Sequence, residues 1–324
     1  MRAAYATSAN PDDPLSALAI GERPDPSPPS GWTTVQVKAA SLNHHDLWTL
    51  RGVGISADRL PMILGCDAAG IDTATGQEVV VHSVICSDGW AGDETLDPGR
   101  SLLSEKHQGT FAEQVIVPSA NVVAKPTELS FAEAGCLSTA WLTAYRMLFV
   151  NSGLRPGQTM LVQGASGGVA SACIAMGQAA GYQVWATARN EAKQAAALDL
   201  GAHQAFASGA RLPERVDVVF ETVGEATWGH SLRSLKPGGR IVVCGSTSGP
   251  NPPAELNRIF FLQLSVVGST MGTRAELADL LGFLVGIGLR PRIDRVLPLE
   301  SAAEGLAAMA AGELVGKIVL EVPA

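Results

Sequence analysis

The chain has 324 residues, with 23 Lys and Arg against 31 Asp and Glu for a formal charge of −8. At roughly 100–200 residues per domain this length suggests two domains, and the negative balance excludes a phosphate-backbone or anionic-membrane grip, which needs dense Lys/Arg clusters. Apolar residues at 46% and charged residues at 17% exclude a disordered chain and fit a filled core.

In chain order, β structure broken by turns comes first. Segments 33–41 (TTVQVKAAS), 77–85 (QEVVVHSVI) and 111–117 (FAEQVIV) are strand candidates, separated by breaks such as PDPSPPSG at 24–31. Segment 86–110 is polar, irregular and long for a loop, the kind of segment that is functional or mobile. Near residue 130 the texture changes. Short β-branched runs at 159–163, 183–187, 216–220, 240–244 and 264–268 alternate with helical segments at 167–180, 190–200, 225–235 and 273–285. Such alternation predicts right-handed βαβ units and a parallel sheet buried on both faces. A strand (IDRVLP), a helix over 300–311 and a closing strand (GKIVLEV) follow residue 290.

Cys66, Cys86, Cys136, Cys173 and Cys244 are scattered, with no CxxC and no zinc-finger spacing. They read as reduced thiols of a cytoplasmic protein. The N-terminal stretch lacks the apolar run of a signal peptide, and no window reaches the ~18–20 apolar residues that span a bilayer.

The sharpest local pattern is LVQGASGGVASACIAMGQAAG at 161–181. A buried strand ends at Gly164 and a helix begins near Gly167, so the backbone of Gly164, Ala165, Ser166, Gly167, Gly168 and Val169 can approach a pyrophosphate at a helix N-terminus. Ala170 stands where a strict GxGxxG has its last glycine. Twenty residues on, where an NAD site places a carboxylate for the ribose 2′-hydroxyl, the chain has Ala188, Arg189 and, four residues later, Lys193. Cations there favour a 2′-phosphate, so the expected cofactor is NADP(H).

Together with SLNHHDLWTLRG at 41–52, LPMILGCDAAG at 60–70, GTFAEQVIVP at 109–118, LSTAWLTAYRML at 137–148, ETVGEATW at 221–228, LKPGGRIVVCG at 235–245 and LSVVGSTMGTRAEL at 264–277, these residues resemble the medium-chain dehydrogenase/reductase superfamily, specifically its quinone-oxidoreductase-like members. The resemblance covers nearly the whole chain. It implies an α/β protein with a GroES-like β-rich catalytic domain (1–125, completed by 290–324) and a Rossmann domain with a doubly wound parallel sheet (126–289), with the cofactor cleft between them.

Many relatives are zinc alcohol dehydrogenases. At the positions of their catalytic-zinc ligands this chain has Asn43, Cys66 and Thr139, of which only Cys66 is a good zinc ligand. The loop matching their structural-zinc lobe keeps only Cys86. Both zinc sites are therefore expected to be absent. The adjacent His44 and His45, read as extended backbone, would point to opposite faces rather than converge on one ion. Trp48, Trp90 and Trp141 fit either an aromatic pocket or the core.

The reaction this implies is hydride transfer from NADPH to a quinone or an α,β-unsaturated carbonyl, whose conjugation delocalises the incoming charge. By resemblance, Asn43 contacts substrate or carboxamide, Thr139 donates a hydrogen bond, and Asp46 orients or holds the local turn. Thr143, Thr222, Val223, Cys244, Gly245, Ser246, Met271 and Lys317 are the further expected cofactor contacts. Two alternatives stay open, a zinc-dependent alcohol dehydrogenase with atypical ligands and a non-catalytic NADPH-binding sensor. The apolar LSVVG strand suggests a homodimer.

Overall fold

The computed structural model describes residues 1–322. Two compact units divide the chain, one formed by Met1–Leu142 with Met271–Ala324 and the other by Thr143–Thr270. Stretches 126–142 and 271–289, which the resemblance places in the Rossmann segment, belong to the first unit by this division.

The first unit is built on a sheet whose centre is the Trp32–Ser41 strand. Buried and half-buried residues alternate along its first seven positions, the period-2 signature of a strand with one face on the core. It pairs antiparallel with Asp67–Asp72 on one side and with the C-terminal Lys317–Glu321 strand on the other, in the register Val319 to Ser41. The C-terminal strand therefore joins the sheet built by the first third of the chain. Strand 77–85 is interrupted at His82–Ser83, giving Glu78–Val81 and Val84–Ile85. Loop 86–110 is more ordered than its composition suggests. The carboxylate of Asp97 accepts from Ser87 N at 2.6 Å and Gly99 N at 2.7 Å, which closes the loop on itself.

The second unit is a six-stranded parallel sheet in the order Gln204–Ala207, Gln183–Ala188, Thr159–Val162, Val216–Glu221, Leu235–Val243, Ser265–Gly268. That is the doubly wound 3-2-1-4-5-6 order, with its switch point beside the Thr159–Val162 strand. Three of its inner strands are almost wholly buried, because helices cover both faces. The sequence runs anticipate this sheet apart from Gln204–Ala207, whose half-exposed residues lack an apolar run.

Candidate active site

In the first unit the site grows from the start of the His44–Leu50 helix. Asn43 N donates to Asp46 Oδ2 at 2.8 Å, the reciprocal link of a capping box, and Gly65 N donates to Asp46 Oδ1 at 3.1 Å. Asp46 is fully buried, and burial pushes its carboxyl up to about 6 against the pull of His45, the Asn43 N–H and Lys317. Both of its oxygens hold backbone amides, so Asp46 shapes the turn.

The Asn43 amide is equally committed. Its Nδ2 donates to Asp67 Oδ2 at 2.8 Å and to Ser41 O at 3.3 Å, while Oδ1 accepts from Lys317 Nζ at 2.6 Å. Lys317 Nζ also reaches Leu42 O at 2.6 Å and Asp67 Oδ2 at 3.3 Å. An ammonium has three protons, and these three acceptors use them all. Asn43 and Lys317, expected to meet substrate and cofactor, thus have their donors bonded within the unit. Asp67, whose buried carboxylate gathers Ser41, Asn43 and Lys317, was not singled out in the sequence, although it stands in the GCD step beside Cys66.

Thr139 contrasts with them. Its hydroxyl is buried and has no hydrogen-bond partner. It lies on a π-helical turn, Leu137–Trp141, a local widening frequent at functional sites. The buried Trp141 Nε1 on the same turn is also unpartnered. Trp141 is a core residue, whereas Trp90 is exposed and donates to Asp93 O.

The extended reading of His44–His45 is corrected. Both lie in the helix that the Asn43–Asp46 box starts, where neighbours project about 100° apart. His44 faces out, while His45 turns inward, with Nδ1 at 3.3 Å from Cys66 Sγ and Nε2 at 3.2 Å from Glu105 Oε1. Glu105 is aimed by a tight turn at Ser104, a buried residue at φ +69°, and its second oxygen accepts from Leu102 N.

His45, Asp46 and Cys66 form a group of potential metal ligands within 4.8 Å of one another, so the zinc implied by the relatives can be tested here. Zinc needs a thiolate and a neutral imidazole nitrogen. Burial works against the charge on His45, but Cys66, Glu105 and Asp46 outweigh it and raise its pKa well above the ordinary value. Burial raises the Cys66 thiol despite His45, and Cys66 Sγ donates to Leu103 O at 3.1 Å. His45 and the Leu102 N–H hold the Glu105 carboxyl below its ordinary value against burial. His45 Nε2 is engaged by Glu105 and Cys66 Sγ by Leu103 O, so both groups already have hydrogen-bond partners. With the Asp46 oxygens on backbone amides and the Asn43 amide on Lys317, the donor set does not fit zinc.

In the second unit the expected cofactor residues lie on the loops that leave the C-terminal ends of the parallel strands. Gly164 has φ +71°, and a Cβ there would stand 2.8 Å from Val223 Cγ2. The Gly168–Ala179 helix starts at Gly167 with no side-chain cap, and a Cβ on Gly167 would meet nothing within 4 Å. The first-turn N–H groups thus keep an open approach for an anion, and the residues fit a dinucleotide pyrophosphate. Ala165 N bonds Thr187 O at 2.9 Å, and Cys244 N bonds Glu221 O at 3.1 Å. A Cβ on Gly245 would stand 3.1 Å from Thr222 O, and one on Gly224 would stand 3.1 Å from Ser246 Cβ. The structure thus draws the 164–165, 222–224 and 244–246 loops together. Burial pushes the Cys244 thiol up to about 12, so it is a neutral lining group.

Ala188 ends its strand buried, followed by the exposed Arg189. Lys193 is lowered first by burial and then by the nearby charge of Arg189, so two cations stand together at this end. Thr143 is nearly buried and opens the second unit, while Met271, at φ +50°, opens the return to the first.

Residues 29–127 match the alcohol dehydrogenase GroES-like domain, and residues 168–286 match the zinc-binding dehydrogenase domain. A crystal structure of an NAD-dependent alcohol dehydrogenase superimposes with a TM-score of 0.92 at 33% identity, covering 100% of both chains. Crotonyl-CoA carboxylase/reductase of Cereibacter sphaeroides is 29% identical over 88% of this chain and 79% of its own length. Quinone oxidoreductase of Lama guanicoe is 28% identical over 86% of this chain and 85% of its own. The chain belongs to the medium-chain dehydrogenase/reductase family. It is a nicotinamide-dependent oxidoreductase with a GroES-like domain and a Rossmann-type parallel sheet.

Proposed function

We propose that this protein uses NADPH to reduce a conjugated acceptor, a quinone or an α,β-unsaturated carbonyl, without a metal. The observation that carries the reading is the Asn43 amide, spent on Asp67, Ser41 and the Lys317 ammonium where zinc relatives place a thiolate ligand. A conjugated acceptor spreads the incoming negative charge and needs a Lewis acid less than a simple ketone does. The two curated relatives described above, named for crotonyl-CoA and for a quinone, support this substrate class.

When bound, NADPH supplies the hydride at nicotinamide C4. The free N–H groups at the start of the Gly168–Ala179 helix hold its pyrophosphate, and the Thr222–Val223 and Cys244–Ser246 loops border it. Thr139 Oγ1, unpartnered, donates to the acceptor oxygen as charge develops there. Asn43, Asp46 and Lys317 keep the turn in place, and a proton from solvent or a hydroxyl completes the reduction, at the α-carbon of an enone or the oxygen of a quinone.

Arg189, with Lys193, selects the 2′-phosphate. Arg189→Ala should raise the NADPH dissociation constant about ten- to hundredfold, the size of a charge-assisted hydrogen bond of ~1.5–3 kcal/mol, and leave NADH unchanged. Fluorescence titration with both nucleotides measures this, and equal wild-type affinities would refute the preference. The reaction itself is tested by NADPH consumption with 1,4-quinones and small enones. Tight binding with no turnover on any of them would instead favour a nucleotide-binding sensor.

The Ser265–Gly268 strand ends the sheet, and the exposed Leu256, Phe260, Phe261 and Val266 lie on it or on the preceding helix. An apolar open edge of this kind is a liability unless a second copy covers it, so the protein pairs as a homodimer. Light scattering should give a dimer mass, and a monomer at micromolar concentration would contradict it. Among the described residues no helix is long and apolar enough to cross a membrane. The free cysteines suit the reducing cytoplasm.

A further inference from the structure

Four fully buried polar side chains lie under the loops of the second unit: Gln163, Thr187, Glu221 and Ser231. Gln163 directly follows the Thr159–Val162 strand, Thr187 is next to last in its strand, and Glu221 ends the Val216–Glu221 strand. These three strands are neighbours in the sheet. Each of the three residues stands immediately before a segment expected to hold the dinucleotide: 164–169, 188–193 and 222–223.

The four side chains form one unbroken line of hydrogen bonds with a single direction. Thr187 Oγ1 donates to Gln163 Oε1 at 2.6 Å, Gln163 Nε2 donates to Ser231 Oγ at 3.0 Å, and Ser231 Oγ donates to Glu221 Oε2 at 2.6 Å. The second Gln163 proton goes to His230 Nδ1 at 2.9 Å, and His230 Nε2 donates to Ala210 O at 2.8 Å. Glu221 Oε1 then takes Val223 N at 2.9 Å, Gly224 N at 3.0 Å and Thr227 Oγ1 at 2.8 Å. The line thus ends on the backbone amides of the 222–224 turn, whose side chain Val223 packs where Gly164 leaves no room for a Cβ. A buried polar chain costs desolvation that an apolar core would avoid, and here every donor has its acceptor.

We propose that the Thr187–Gln163–Ser231–Glu221 line is a positioning device for the dinucleotide, holding the three loops at the spacing the cofactor requires. The assignment rests on the reading that these loops bind NADP(H). Glu221→Gln keeps the shape but puts a donor against the Ser231 hydroxyl and reverses the line at its anchor. Thr187→Val keeps the volume and removes the first donor, and Thr187→Ser restores it.

The test is NADPH affinity by fluorescence titration, with Tm followed in parallel. Expected results are an NADPH dissociation constant raised about tenfold in Glu221→Gln and about three- to tenfold in Thr187→Val, against wild-type affinity in Thr187→Ser. A merely structural role would lower Tm and leave the affinity of the folded variants unchanged. Wild-type affinity in folded Glu221→Gln and Thr187→Val would overturn the positioning role while leaving the cofactor reading intact. A wild-type protein that binds neither NADPH nor NADH would overturn both.

Discussion

Lys317→Ala is expected to destabilise the first unit by about 3–5 kcal/mol, the cost of leaving one member of a buried ion pair uncompensated. Asp67 is fully buried and Lys317 is 3% exposed, so the stranded carboxylate has no water to turn to. The loss goes further, because the ammonium also satisfies Leu42 O and Asn43 Oδ1. Lys317 begins the last strand while Ser41, Leu42 and Asn43 end and follow the central one, so the ammonium ties the last strand to the end of the central one. A surface pair such as Lys236–Asp217, with the lysine side chain 42% exposed, is worth ~1 kcal/mol or less. Urea unfolding measures the difference. A Lys317→Ala midpoint within the range of the Lys236→Ala variant would show that the cluster does not hold the unit together.

Thr139→Val is expected to lower turnover about 10²–10³-fold, the usual loss when one donor to a developing oxyanion is removed. Its stability signature has the opposite sign. An unpartnered buried hydroxyl costs about 1–3 kcal/mol of desolvation, which an isosteric valine removes, so the variant should unfold at higher temperature. A group kept at a cost to folding and needed for turnover is what a functional residue looks like. Steady-state rates with calorimetry on the same preparation give both numbers. Unchanged turnover, or a fall in Tm, would mean that the hydroxyl serves the fold instead.

The sequence made the second unit legible to nearly its full extent. Its inner strands read as apolar runs because they are almost wholly buried, and the glycine run falls where the Thr159–Val162 strand turns into the Gly168–Ala179 helix. The half-exposed Gln204–Ala207 strand escaped for want of such a run, and the short Leu256–Phe261 helix was not anticipated either. The first unit was harder to read. The His44–Leu50 helix is set by one reciprocal Asn43–Asp46 contact, which a short polar stretch does not announce. Its consequence, His45 turned onto Cys66 and Glu105, depends on a tight turn at Ser104 some sixty residues away. Likewise, Lys317 meets Asn43 only because the last strand joins the central one, a pairing that no local pattern encodes. Asn43, Lys317 and Thr139 were all visible as candidates. Which of them is spent on the fold and which is left free depends on hydrogen-bond directions, which a one-dimensional pattern does not carry.

Metal-free reduction of a conjugated acceptor by NADPH is the proposed reaction. Its most direct test is NADPH oxidation by protein exhaustively treated with chelator, with 1,4-quinones and small enones as acceptors. Turnover equal to that of untreated protein, and unaltered by added zinc, is the predicted result. Activity lost on chelation and restored by stoichiometric zinc would contradict it and would make His45, Asp46 and Cys66 the ligands to examine.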